Sequence, residues 1–314
     1  MRFLVTGGCG FIGSHLGDAL MLAGHNVTVL DDLSTGCESQ LTPGARLVRG
    51  SVLDEECVAK AMQDVQGCFH LAARSNGVSG KNWLTVHKIN QLGALNVFFS
   101  ASANTSRPAV PVVYASSAAV YGDNACFPLS ESAHPRPVSA YGADKLGCEL
   151  HARVAWLVNN VPTTGLRFFN VYGPRQNSSS PYSKVISMFI EHLLNNKVLR
   201  YAGDAQQTID FVYVTDVVRF LISTMFDLRD QASIYNVCTG RSISIRELAQ
   251  TLTLLAGQSI DIIYTKNNKG NIASSLGDPE KASKKLQMRC ETTLAQGLKL
   301  TLEAEFRKIN SPLS

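Results

Sequence analysis

Short apolar runs alternate with longer stretches of helical period through the first half of the chain. Residues 2–5, 26–30, 47–48, 67–70, 110–115 and 163–167 are too short for helices and read as buried strands. Between them, segments beginning near Gly13, Glu55, Trp83 and Ser139 read as helices. Such alternation predicts an α/β fold with a parallel, doubly wound sheet, and it puts ligands at the carboxyl ends of the strands.

After Asn170 the pattern changes. Residues 173–181 are a polar loop, too long for a tight connection and suited to closing over a ligand. Residues 211–214 read as one more strand returning to the main sheet, while 236–256 and 261–314 read as a small mixed lobe. The division expected is therefore residues 1–168 with 207–233 in one domain, and 169–206 with 234–314 in the other.

Composition adds exclusions. A net charge of +4 over 314 residues does not argue for a nucleic-acid surface. No apolar run reaches the length of a membrane span, and residues 1–5 read as the first buried strand, not as a signal peptide. The eight cysteines (Cys9, Cys37, Cys57, Cys68, Cys126, Cys148, Cys238 and Cys290) show no paired spacing, several within apolar runs. Reduced thiols in a cytoplasmic protein without a metal site are expected.

Two motifs carry chemistry. Gly7, Gly10 and Gly13 of Thr6-Gly7-Gly8-Cys9-Gly10-Phe11-Ile12-Gly13 lie between a strand and a helix predicted over residues 11–22. Glycines there let the backbone approach a pyrophosphate whose charge faces the helix N-terminus. The second strand ends in Asp31-Asp32, 18 residues after Gly13. A carboxylate at that point accepts hydrogen bonds from ribose hydroxyls and repels a 2′-phosphate, which favours NAD over NADP.

The second motif is Tyr141-Gly142-Ala143-Asp144-Lys145. On a helix, Tyr141 and Lys145 are one turn apart and face the same way, and a nearby ammonium favours phenolate, so the tyrosine can act as a base. Ser116-Ser117, at the end of the preceding strand, is placed to reach the same pocket.

With these motifs in order, the chain resembles the extended short-chain dehydrogenase/reductases of the nucleotide-sugar epimerase/dehydratase family, most closely the UDP-hexose 4-epimerases. The resemblance spans the chain: Thr6 to Gly13, Asp31-Asp32, His70-Leu71-Ala72-Ala73, Asn90, Ser116-Ser117-Ala118-Ala119-Val120-Tyr121-Gly122, Tyr141 to Lys145, and Arg167-Phe168-Phe169-Asn170-Val171-Tyr172-Gly173-Pro174-Arg175-Gln176. It implies a Rossmann-type NAD-binding domain, a smaller α/β lobe for a UDP-sugar, and C4 epimerisation through a transient 4-keto sugar. It implies that Tyr141 takes the C4 hydroxyl proton, Ser117 holds that hydroxyl, and Lys145 binds the nicotinamide ribose. Phe11, Ile12, Leu71, Ala72, Ala73 and Asn90 would join the glycines, Asp31, Asp32, Tyr141 and Lys145 around NAD. Asn170, Lys184, Val185, Tyr201, Lys269 and Ser275 would join Ser117 around the substrate. It also implies a homodimer, through helices expected over residues 83–103 and 139–159.

Within the family, dehydratases and decarboxylases carry an acidic residue after the catalytic serine or threonine; here Ala118 and Ala119 stand there, which argues for simple epimerisation. Ser275 matches a position beside the sugar 2-substituent, and its small size implies room for an N-acetyl group. Three departures matter. Ile209 and Asn268 replace arginines that clamp the substrate diphosphate, Asn271 replaces an aspartate, and Ser51 replaces an aspartate near adenine. Each lost charge-assisted hydrogen bond is worth about 1.5–3 kcal/mol. Lys184, Lys266, Lys269, Arg175 and Arg200 lie in segments expected near the substrate, with Lys184 or Lys269 the expected replacement. Two other readings stay open: an NAD-binding member without sugar turnover, and an NAD-linked dehydrogenase that releases a keto sugar.

Overall fold

A computed structural model describes residues 1–74, 83–103, 107–176, 184–195, 197–227, 232–258, 261–265 and 274–310. The strands are β1 (Arg2–Thr6), β2 (Asn26–Asp31), β3 (Arg46–Arg49), β4 (Gly67–His70), β5 (Val112–Ser117), β6 (Thr163–Phe168), β7 (Asn170–Tyr172), β8 (Leu199–Ala202), β9 (Thr208–Tyr213), β10 (Ala232–Val237), β11 (Ser242–Ser244), β12 (Ile262–Thr265) and β13 (Ser274–Ser275). The helices are α1 (Phe11–Leu22), α2 (Glu55–Ala61), α3 (Trp83–His87), α4 (Gly93–Ala101), α5 (Ala140–Asn159), α6 (Lys184–Leu194), α7 (Val214–Phe226), α8 (Ile245–Ala256), α9 (Glu280–Leu286) and α10 (Leu294–Asn310).

Seven strands form one parallel sheet in the order β10-β6-β5-β4-β1-β2-β3. Winding reverses between β1 and β4, and that reversal opens a crevice beyond their carboxyl ends. Leu16 and Leu20 of α1 and Val217, Phe220 and Leu221 of α7 cover one face. Val58 of α2, Val97 and Phe98 of α4, and Cys148 and Ala152 of α5 cover the other. A parallel sheet covered on both sides explains why its strands read as continuous apolar runs.

Helix boundaries follow local chemistry. Ser139 Oγ accepts the Gly142 N–H at 3.1 Å to start α5, and Asn160, at φ 53°, stops it in the left-handed region. Ser244 and Glu247 form a capping box at α8, and Gly257, at φ 67°, ends it.

One strand sits elsewhere than the pattern suggests. Residues 211–214 were expected in the main sheet, but β9 belongs to a second sheet, flanked by β7, β11 and β13. The place beside β6 is taken by β10. Both segments are apolar and period cannot tell them apart; in the structure Asp210 ties β9 to the turns after β10 and β13. Its carboxylate accepts the Thr239 N–H and hydroxyl and the Gly240 and Gly277 N–H groups at 2.6–3.2 Å. The second lobe has its own core of Phe189 and Ile190 from α6, Leu248 and Leu252 from α8, Leu298 and Leu302 from α10, and Tyr201.

Among the described residues, no helix is long and apolar enough to cross a membrane, and no cluster of side chains could hold a metal. Phe99 of α4 and Leu150, Val154, Leu157 and Val158 of α5 are exposed.

Candidate active site

The crevice is a cleft of about 820 Å³, large enough for sizeable ligands, with the main sheet on one side and β7, β9 and β13 on the other. At its floor the chain passes from β1 into α1. Gly7 has φ +71°, and a Cβ there would lie 2.8 Å from the Ala72 backbone nitrogen. A Cβ on Gly13 would press on the Gly7 carbonyl oxygen and come within 2.7 Å of Gly8 Cα. Gly10, the N-cap of α1, carries no side chain to occupy the first N–H groups of the helix. The cradle therefore leaves partial positive charge facing the cleft, where a diphosphate fits. Gly13→Ala should force this backbone apart: at least a tenfold loss of retained NAD is expected, read from absorbance of nucleotide released on denaturation.

Asp31 and Asp32 stand at the end of β2 and line the same cleft. Asp31 Oδ2 accepts the Cys9 N–H at 2.9 Å and Oδ1 the Leu33 N–H at 2.8 Å, so the carboxylate braces the glycine turn. Burial raises its pKa above the usual carboxylate range, and these two N–H groups oppose the rise. Each oxygen keeps a lone pair for a ribose hydroxyl. Asp32 Oδ1 accepts from Ser34 N at 2.9 Å. Glycine cradle and carboxylate together fit the adenosine diphosphate half of NAD. Ser51 accepts the Leu53 N–H at 3.2 Å.

At the other end, β5 delivers Ser116 and Ser117, and α5 delivers Tyr141 and Lys145. Ser117, Tyr141 and Lys145 all line the cleft. Ser117 Oγ accepts the Ala119 N–H at 3.1 Å; Lys145 Nζ donates to Ala115 O at 2.9 Å and lies 5.7 Å from the Tyr141 ring centre. Beneath β5, Ser116 donates to Glu149, whose carboxylate takes two parallel bonds from Arg167, at 2.8 and 2.7 Å. Arg167 stacks 4.7 Å over Tyr121, whose hydroxyl donates to Asn236 at 2.6 Å. His70 Nδ1 is 2.8 Å from Thr6 Oγ1, which accepts the Ala72 N–H at 3.2 Å. Burial first, then the Lys145 charge, push His70 down to about 3, so it is a neutral brace for the Ala72 turn at ordinary pH.

The expected site residues divide into three groups. Gly7, Gly10, Phe11, Ile12, Gly13, Asp31, Asp32, Leu71, Ala72, Ala73, Ser117, Tyr141, Lys145, Asn170 and Ser275 share the cleft. Asn170 Nδ2 donates to Ser275 Oγ at 3.3 Å, linking β7 to β13. Asn90, Tyr201 and Val185 stand back from it. Asn90 is buried, and its amide grips both ends of the Arg74 peptide. Tyr201 is buried, and its hydroxyl reaches the cleft-lining Gln207 at 2.8 Å; Val185 is half-buried on α6. Lys184 opens α6, but its side chain, together with Lys266, Asn268, Lys269 and Asn271, lies outside the described residues. Arg175 pairs with Asp18 at 2.7 Å and lines a neighbouring pocket, and Arg200 is exposed on β8. Ile209 lines the cleft as an apolar surface.

Three features lay outside the sequence reading: Arg74 in the cleft, the buried Glu149–Arg167 pair, and Asp210 as the knot of the second sheet. The signal for the last two was present as charged residues inside otherwise apolar segments.

The profile of the NAD dependent epimerase/dehydratase family matches residues 3–238. A UDP-glucose 4-epimerase of Thermotoga maritima, solved with UDP-glucose, is 32% identical with TM-score 0.92, covering 99% of this chain and 100% of that one. A UDP-N-acetylglucosamine 4-epimerase of Methanobrevibacter ruminantium, solved with UDP-N-acetylmuramic acid, is 31% identical with TM-score 0.91 over 98% of both chains. A UDP-N-acetyl-alpha-D-glucosaminuronate decarboxylase of Bacillus cytotoxicus is 31% identical over 327 residues, covering 99% of each chain.

Proposed function

The chain belongs to the NAD dependent epimerase/dehydratase family, and on that footing we propose that it inverts C4 of a UDP-hexose through a 4-keto sugar. The observation carrying this reading is what stands beside Ser117 and Tyr141. Among the described residues lining the cleft, the carboxylates are Asp31 and Asp32, at the β2 end, while Ala118 and Ala119 follow the serine. A second acid–base pair for elimination is missing there, so the proton chemistry available is removal and return at one hydroxyl.

NAD held by the glycine cradle supplies a reversible hydride acceptor. Ser117 orients the C4 hydroxyl, the Tyr141 phenol takes its proton and later returns it, and the Lys145 ammonium keeps that phenol electrostatically poised. Ser275, on the opposite wall, leaves space for a 2-N-acetyl group. The exposed apolar faces of α4 and α5 suit pairing of two copies, and we place the enzyme in the cytoplasm, where its thiols remain reduced.

Proton NMR of the purified protein with UDP-GlcNAc and with UDP-Glc, and no added NAD, tests the reading. The C4 epimer should accumulate without net NADH. Protein shown to carry NAD, yet silent with every UDP-hexose tried, would make the loss of the arginine at Ile209 decisive and the chain a binding member of its family.

A further inference from the structure

The turn that carries Tyr141 and Lys145 also carries Asp144, which stands behind the cleft and not in it. Asp144 is only 3% exposed. A carboxylate that deep is costly to bury unless it is hydrogen-bonded. Its Oδ1 lies 2.7 Å from His87 Nδ1, its Oδ2 accepts Asn90 Nδ2 at 3.3 Å, and its main-chain carbonyl accepts Gln91 Nε2 at 2.7 Å.

All three partners come from one distorted stretch of helix. Between α3 and α4 the backbone opens into a wide π turn over Lys88–Leu92, a form that is rare and concentrates at functional sites. Asn90 lies inside that turn and is 1% exposed. Its amide reaches Arg74, accepting the N–H at 2.9 Å and donating to the carbonyl at 3.0 Å. Nδ2 therefore serves two acceptors, Arg74 O and the Asp144 carboxylate, while Oδ1 serves one donor. Turning the amide over would set its oxygen against both acceptors, so Asp144 helps to hold it in one orientation.

Arg74 ends the segment Leu71-Ala72-Ala73-Arg74, every residue of which lines the cleft. At its start Thr6 Oγ1 accepts the Ala72 N–H at 3.2 Å, and the Ala72 backbone lies against Gly7 of the cradle. One fixing point is thus local to β1. The second, the Arg74 peptide, hangs on Asn90 and through it on α5. A backbone held at both points stays closed on a ligand; freed at one, it opens locally at low cost.

We propose that Asp144 is a positioning residue for the cofactor: through Asn90 it fixes the wall from Leu71 to Arg74 and so slows the departure of NAD. Standing behind that wall, the carboxylate acts on the cofactor only through Asn90. The role depends on NAD in this cleft and not on which sugar is turned over.

NAD release from the full-length holoprotein is followed after dilution, an added dehydrogenase and its alcohol converting freed NAD to fluorescent NADH. Asp144→Ala should release NAD about 10- to 100-fold faster than the parent. Asp144→Asn, whose amide oxygen can still accept from Asn90, should stay within about threefold of the parent. Asp144→Ala combined with Asn90→Ala should release NAD no faster than Asn90→Ala alone, since the two residues act as one unit. Parental release from Asp144→Ala, or two effects that multiply in the double variant, would overturn the proposal. So would a lowered melting temperature with release unchanged, which leaves Asp144 a structural residue only. Asn90→Ala keeps the His87–Asp144 pair and gives the same test if Asp144→Ala does not fold. It too should release NAD at least about 10-fold faster, and parental release from it would sink the idea. Absence of a C4 epimer from protein with parental NAD release would count against the sugar reading alone.

Discussion

Replacing Tyr141 by phenylalanine should lower kcat about 10²- to 10⁴-fold, the range by which one positioned proton-transfer group accelerates a reaction. The change removes a single oxygen and keeps the ring, so the space between α5 and the cleft stays filled. What disappears, on the proposed mechanism, is the acceptor for the C4 hydroxyl proton. Ser117 is not expected to stand in for it: among the described residues its hydroxyl accepts the Ala119 N–H, Lys145 donates to Ala115 O, and Ala118 and Ala119 carry no base. Epimer formation by NMR gives the rate, and calorimetry with the same UDP-sugar shows whether binding survives. A variant that still epimerises within tenfold of the parent would move the base elsewhere and remove the central residue of the mechanism.

Glu149→Ala has the largest expected effect on stability, a loss of about 3–5 kcal/mol. Both partners of the Glu149–Arg167 pair are almost fully buried, with side-chain exposures of 7% and 5%. Truncating the glutamate leaves a guanidinium inside the protein, stacked on Tyr121 and without its anion. Ser116 loses its acceptor in the same step, at the strand end that carries Ser117. A drop in melting temperature on the order of 5–10 °C should follow in a thermal scan. Replacing both partners together, as Glu149→Leu with Arg167→Met, should recover part of the loss, because no charge is then stranded. A single variant that melts within one degree of the parent would show that water reaches Arg167 and that the pair is not holding α5 to β6.

How far the sequence reveals this molecule depends on the distance between interacting groups. The turn from Gly7 to Gly13 and the pair Tyr141 and Lys145 are local: steric freedom in the first and helical period in the second place the side chains without reference to the rest of the fold. The hold of Asn90 on the Arg74 backbone was invisible because it joins residues that are not neighbours in the chain. Asp210 was invisible for the same reason, with partners at Thr239, Gly240 and Gly277. The misplacement of β9 has a similar origin: two apolar strands both suit one sheet edge, and period alone does not choose between them. Asn90 and Tyr201 stand one layer behind the cleft, where they hold Arg74 and Gln207, a distinction that a motif cannot register.

The position of β10 bears on how the protein is made. Six strands of the main sheet are complete by Phe168, yet the strand that covers β6 ends at Val237. During synthesis, β6, all six of whose residues are buried in the finished fold, waits as a bare edge until roughly three-quarters of the chain has left the ribosome. Asn236, the acceptor for Tyr121, arrives in the same late strand, so the polar network behind Ser117 stays incomplete over that interval. A nascent chain halted before β10 has the glycine cradle and both reacting side chains, yet it carries an unprotected edge that invites pairing with its neighbours. The cell must therefore shield this protein longest where it is most nearly finished.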